Sequence, residues 1–279
     1  MYFRTAAALF LSASLLEATP LALSHGEVLT YRVGWGLFIH AGEITIAAHR
    51  DETSPEPQLR VTTSTRTRGF LKNFFPFEAT GESWFSLSDG RILGSSEESM
   101  SKKKQTRQSM TFDYVRGKAA YVNAVRPERN AELDLPEGNP LDLIMSLVQT
   151  RTWDLKPGEK QDALVVFDDD FYELTIYADG YEEVRTPLGK FLALRLTPRM
   201  EKTEPKGMFK RGSEVHVWIS QDGRRLPVKF EVDFKFGAGV ATLIDHQVIP
   251  AIESAAPAMA PEEAVTTSTG GPAADPRGQ

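Results

Sequence analysis

Between Leu226 and Phe236 the chain alternates without a break. Leu226, Val228, Phe230, Val232, Phe234 and Phe236 share one parity, while Lys229, Glu231, Asp233 and Lys235 share the other. Successive side chains of a strand point to opposite faces, so this segment has one apolar and one charged face. Asp222-Gly223 just before it is a hairpin signal that joins it to Glu214–Ile219. Gly237-Ala238-Gly239 then turns it into Val240–Val248, which completes a three-strand meander.

The same logic runs through the rest of the body. Val28–Trp35 and Gly42–His49 flank a short link that contains His40, and Arg60–Arg68 is rich in Thr and Val. Thr80–Leu87 leads through Asp89-Gly90 to Arg91–Ser99, and Gln108–Tyr114 and Lys118–Val125 flank Arg116-Gly117. Leu164–Phe167 and Phe171–Tyr177 flank an acidic turn, and Thr186-Pro187-Leu188-Gly189 connects two further strands. The expectation is an all-β, mainly antiparallel fold, an open or incomplete β-barrel of roughly a dozen strands. One packed α-helix is expected at about 139–150. Asn139 suits its N-cap, Pro140 its first position and Asp142 its positive end, and Leu141, Ile144, Met145 and Val148 recur at helical spacing.

The ends of the chain read differently. A charged start ending at Arg4 is followed by the apolar run Thr5–Leu16, and Ala22-Leu23-Ser24 places small residues three and one before His25. This is the order of a secretory signal peptide, expected to be cleaved after Ser24, and the run is too short to span a bilayer. The expected organisation is a signal peptide at 1–24, one β-rich domain at 25–249, and a disordered tail at 250–279. That tail is rich in Pro, Ala and Thr and has no aromatic residue, so it cannot bury enough apolar area to offset its ordering entropy. No cysteine is present, so neither a disulfide nor the lipid of a lipoprotein has an attachment point, and a hydrophobic core must carry stability. The expected location is the periplasm, soluble and not lipid-anchored. A formal net charge of −6 argues against nucleic acid as a partner.

Motifs for chemistry are sparse. There is no Gly-x-Ser-x-Gly elbow, no cysteine nucleophile and no phosphate loop, so no catalytic residue and no cofactor are expected. Asp168-Asp169-Asp170 reads as a solvated turn rather than a calcium loop. His25, His40, His49, His216 and His246 show no metal-ligand spacing, so no metal is expected. A cleaved chain starting at His25 has an amine and an imidazole that together suit copper, but a second histidine in a matching pattern is missing. Lys102-Lys103-Lys104 with Arg107 is the densest basic cluster. It suits anionic headgroups or an acidic partner, or simply an edge that resists strand pairing. The densest aromatic stretch runs from Gly69 to Phe77, with Phe70, Phe74, Phe75 and Phe77 inside eight residues. These rings either line the mouth of an apolar cavity or plug the end of the sheet as core.

Several segments taken in order resemble the bacterial family of domain of unknown function 3108, over about residues 29–246. They are Tyr31-Arg32-Val33-Gly34-Trp35 with Ala41-Gly42, Gly69-Phe70 through Phe75-Pro76, Glu82-Ser83-Trp84-Phe85, and Asn139-Pro140-Leu141-Asp142. Arg185 through Phe191, and Val217-Trp218-Ile219 through Asp222 to Val228, complete the set. The resemblance implies an exported envelope protein and carries over no catalytic residue. The leading expectation is a non-enzymatic binding or carrier module for an apolar ligand such as a lipid, held near Trp35, Phe70, Phe74, Phe75 and Trp84. The alternatives are a structural or interaction protein of envelope maintenance with a protein partner, and an enzyme acting on envelope glycans or lipids. Two carboxylates facing each other in a cleft would favour the enzyme.

Overall fold

The computed structural model describes residues 20–36, 38–205, 209, 213–234 and 237–249. Most of the expected signal peptide, the whole expected tail, and Lys235 and Phe236 lie outside the described residues.

Among the described residues, fifteen strands form one sheet. They are β1 (Glu27–Trp35), β2 (Phe38–Asp51), β3 (Gln58–Thr67), β4 (Phe77–Ser86), β5 (Ile92–Ser101), β6 (Gln105–Asp113), β7 (Lys118–Asn123) and β8 (Ala131–Asp134). Then come β9 (Leu141–Asp142), β10 (Lys160–Phe167), β11 (Asp170–Thr186), β12 (Gly189–Arg199), β13 (Glu214–Ser220), β14 (Pro227–Phe234) and β15 (Gly237–Val248). Across the sheet the order is 8-7-6-5-4-3-2-1-15-14-13-12-11-10-9, so every strand lies beside its chain neighbours except β8 and β9, and β1 pairs with β15. All pairs are antiparallel except the short β9–β10 pair. The sheet is not closed: β8 ends one margin and β9 the other.

Two expectations need correction. The strand number is fifteen, because the four residues of β8 and the two of β9 are too short to show a period of two. The principal helix, α2, spans Leu143–Gln149 rather than 139–150, and a one-turn helix, α1, stands at Leu71–Phe74. Asn139 precedes a proline and so favours extended backbone. Leu141 and Asp142 pair with Val165 and Val166 of β10, and the Asp142 carboxylate caps the helix by accepting from the Met145 N–H at 2.8 Å.

Over 226–233 the apolar parity faces inward, with Phe230 and Val232 half-buried. Leu226 and Val228 are fully buried, and on the opposite face the Lys229 ammonium sits 4.0 Å from the centre of the Trp218 ring. Helix α2 lies between two apolar clusters. Met145 and Val148 pack with Leu29, Tyr31, Ile46 and Phe85, whereas Leu147 packs with Leu174, Ile176, Leu194 and Val217. Leu21, Ala22 and Leu23 join the first cluster. The Gln149 side chain holds this segment twice, accepting from the Ala22 N–H at 3.1 Å and donating to the Pro20 carbonyl at 2.7 Å. After the helix, Arg151 pairs with the buried Glu27 at 2.6 Å and donates to the carbonyls of Arg224 and Arg225, which ties β1 to the β13–β14 turn.

The two margins meet through side chains. Val166 of β10 packs with Met110, Ala119 and Tyr121 of β6 and β7. The Arg129 guanidinium reaches Asp169 at 2.7 Å and Asp168 at 3.7 Å. The acidic turn is thus a latch between margins that share no backbone ladder.

Candidate functional site

The register of β3 to β6 dictates a hollow. At the far end from the aromatic loop the inward row is Leu59, Phe85 and Ile92, all buried. One step on, Val61, Ser83, Ser95 and Met110 are neighbours, and the next row is Thr63, Gly81, Glu97 and Gln108. Large apolar side chains give way to small and polar ones, so the inner face recedes and leaves space under α2.

That space is a cavity of about 410 Å³. One wall comes from the second and third of these rows, with Thr65, Ala79 and Phe77. The other comes from Asp142–Met145 and from Val166, Phe167 and Asp168. Val61, Phe77, Met110, Ile144, Met145 and Val166 make its apolar part. Its polar part carries carboxylates, and no Lys, Arg or His lines it among the described residues.

The carboxylates are held in specific ways. The Gln108 amide donates to Glu97 at 3.3 Å and to Asp168 at 3.1 Å, so one nitrogen brings both acids to one spot. The Gln108 carbonyl accepts from the Tyr121 hydroxyl at 2.9 Å, which in turn accepts from Asn123 at 3.0 Å. Glu97 keeps contact with water at the mouth, yet desolvation by the walls, and then the charge of Asp168, raise its pKa. Burial likewise raises Asp142, against hydrogen bonds from Met145, Ser83 and Ile144. Asp168 has φ of 54°, a strained position for a non-glycine residue, set by the tight β10–β11 turn.

The five residues singled out in the sequence stand elsewhere. Phe70 and Phe74 stack with ring centres 4.7 Å apart on the β3–β4 loop, and Phe70, Phe74 and Phe75 are all exposed. Trp35 is 40% exposed at the β1–β2 turn. Trp84 lies on the outer face, under the Arg60 guanidinium and flat over Gly94. A Cβ at Gly94 would fall 2.2 Å from the Trp84 ring, so glycine is required there. Phe77 alone of the aromatic stretch lines the cavity. Thr63, Gly81, Ser83, Ser95 and Glu97 were passed over because no motif marks them. Their signal was the run of small or polar residues at inward parity.

Of the histidines, His25 accepts from the Arg50 N–H at 2.9 Å, and His246 lies 3.2 Å from Glu27. His216 sits on the outer face with Nε2 3.4 Å from Glu214 and 3.9 Å from Asp233, and with Nδ1 2.9 Å from the Thr197 hydroxyl. Glu214 and Asp233 are directly opposed across strands, and the imidazole sits between them. These three side chains have the spacing of a metal-ligand set, but their bonds are those of a cross-strand polar network.

One large, mostly antiparallel, unclosed sheet wrapped on an internal helix defines a barrel-like all-β protein. A beta-barrel-like protein of domain of unknown function DUF1849 from Brucella abortus shares this fold, with TM-score 0.54 and 10% identity over 84% of this chain and 100% of that one. The chain belongs to the family described as Protein of unknown function (DUF3108), whose pattern matches residues 30–244. Weaker likenesses are to a protein described as exported, with a YmcC-like fold, from Bacteroides fragilis (TM-score 0.33, 12% identity, 82% of this chain and 99% of that one). Another is to a protein described as a lipoprotein from Parabacteroides distasonis (TM-score 0.31, 10% identity, 83% and 98%). No curated protein sequence matches this chain. No helix among the described residues is long and apolar enough to cross a membrane.

Proposed function

We propose that this chain is an exported, non-enzymatic binding module of the cell envelope, an incomplete barrel that holds a lipid or other acyl ligand in its cavity. The observation that carries this reading is the 410 Å³ space itself, inside the range of about 300–1,000 Å³ typical of small-ligand sites. Its apolar part, from Val61 to Met145, suits a hydrocarbon chain, and its polar part at Glu97 and Gln108 suits a head group that offers hydrogen-bond donors. The aromatic stretch enters the reading through Phe77.

Mass spectrometry on protein purified gently from the envelope, intact and after solvent extraction, tests it. A stoichiometric apolar molecule is expected, and Gly81→Leu, which fills the cavity, is expected to lose it without unfolding. A ligand retained by G81L, or none in either protein, overturns the reading.

A second reading rests on Glu97 and Asp168. One acid with a raised pKa facing another across a cleft is the arrangement that glycoside cleavage uses. Its test is release of soluble fragments from envelope polysaccharide. Fragment release by the native chain that Glu97→Gln abolishes would replace the carrier with a hydrolase.

A further inference from the structure

We propose that the rim formed by the β1–β2, β3–β4 and β5–β6 connections is a docking surface for an anionic lipid bilayer. Consecutive antiparallel strands reverse direction, so these three connections emerge at the same end of the sheet. There the chain exposes Trp35, Phe38, Phe70, Phe74, Phe75 and Met100, each at least 40% accessible. Helix α1 at the centre of the rim buries none of its residues. At the opposite end the exposed large apolar groups among the described residues are Leu87, Val115, Leu188, Leu192, Val248 and Ile249, all aliphatic and none aromatic. A rim that gathers the exposed aromatic rings in this way is an interaction surface rather than scattered exposure.

The charge around it names the partner. Lys102, Lys103 and Lys104 occupy the β5–β6 turn, and none of them makes an ion pair with a described residue. Lys72 stands on α1 itself. Three of the acidic groups nearby are already matched, Glu43 by Arg66 and Arg68, Glu98 by Arg107, and Glu78 by Lys72, while Glu97 at the cavity mouth feels the charge of Lys104 without an ion pair to it. What remains is a protruding set of aromatic rings flanked by unpaired ammonium groups. Rings of this kind settle at the headgroup level of a bilayer, and lysines beside them meet lipid phosphates. An acidic protein partner would answer the lysines but would leave six large apolar groups on separate turns without one continuous groove to fill.

Docking also gives the cavity an address. Phe77 begins β4 at this rim, is 39% exposed, and lines the cavity, so a bilayer seated on the rim faces the cavity mouth. That last step rests on the proposed binding function; the docking itself does not.

Co-sedimentation of the full chain with vesicles is the test. One set is phosphatidylglycerol mixed with phosphatidylethanolamine, and the other is phosphatidylcholine alone. Binding to the anionic vesicles is expected, weakening as salt rises. F74S/F75S and K102E/K103E/K104E are each expected to cut it more than tenfold, with native circular dichroism retained. Gly81→Leu is expected to dock normally while carrying no ligand, which separates failure of docking from failure of the cavity reading. Equal binding to neutral vesicles, binding that both rim variants retain, or no vesicle binding at all overturns the proposal. Capture of a protein instead of lipid by a photocrosslinker at Phe75 does so too.

Discussion

The faces of β11–β13 and of β3–β6 obey the same alternation and end in opposite states. On the first, Leu174, Ile176, Leu194, Leu196, Val217 and Ile219 point inward, and all are buried to within 1%. On the second, Thr63, Gly81, Ser83 and Ser95 take the equivalent places, and the space beyond them is a cavity. Period alone therefore sets which face is inside; the volume of the inward side chains sets whether the inside is solid.

Substitutions separate the two faces most sharply where charge is buried. Arg151→Ala takes the guanidinium from the buried Glu27 and leaves it only His246 and the Ser24 N–H, and a loss of about 3 kcal/mol is expected in urea titrations. Its counterpart at the hollow margin, Arg129→Ala, removes a pair that water already screens and is expected to cost only about 0.5–1 kcal/mol. If both cost the same, the latch contributes as much to stability as the buried Arg151–Glu27 pair. Next in size is Leu194→Ala, expected to cost about 2–5 kcal/mol, against less than about 1 kcal/mol for Thr63→Ala. Equal losses would mean that the hollow has collapsed in solution.

Helix α2 is the wall both faces share, and the segment from Pro20 to Ser24 braces it. A chain beginning at His25 lacks the buried Leu23 and both Gln149 bonds, so it is expected to be less stable than one beginning at Pro20 by about 2 kcal/mol or more. Thermal melts of the two chains, with the N-terminus of the protein recovered from cells read by mass spectrometry, check this. Identical melting would show that the brace is dispensable and that cleavage after Ser24 costs nothing.

The smallest effect lies at the cavity mouth. Because the folded pKa of Glu97 is raised, the native state binds more protons than the unfolded chain between the two pKa values, and stability falls as pH rises through that window. Glu97→Gln is therefore expected to gain up to about 0.5 kcal/mol at neutral pH, a gain that disappears below the ordinary glutamate pKa. A gain that persists in acid would assign it to packing instead.

Much of the architecture was legible before any coordinates. The β13–β14–β15 meander is legible in one alternating run and the Asp222-Gly223 turn, because a strand's period is local and needs no partner to be seen, but Gly237-Ala238-Gly239, expected as a turn, pairs with β14 as the start of β15. The helix was legible as an apolar face but not in its start. Whether Asp142 extends a strand or caps a helix depends on β10, which lies far along the chain. The candidate site was legible least. Phe70, Phe74 and Phe75 announce themselves by density, yet they stand on the rim, and Glu97, Gln108 and Asp168 come together only across strands.

By itself, then, the sequence determined where the longer strands run, which face of each is apolar, and which family the chain resembles. Those properties are written in neighbours two to four residues apart. Only the tertiary structure decided that the small residues of β3 to β6 would face a helix across a gap, that the acidic turn would latch two unpaired margins, and that the aromatic and lysine turns would share one rim. Each of these depends on register and strand order between segments tens of residues apart. That information resides in the pairing of the whole sheet, not in any one strand.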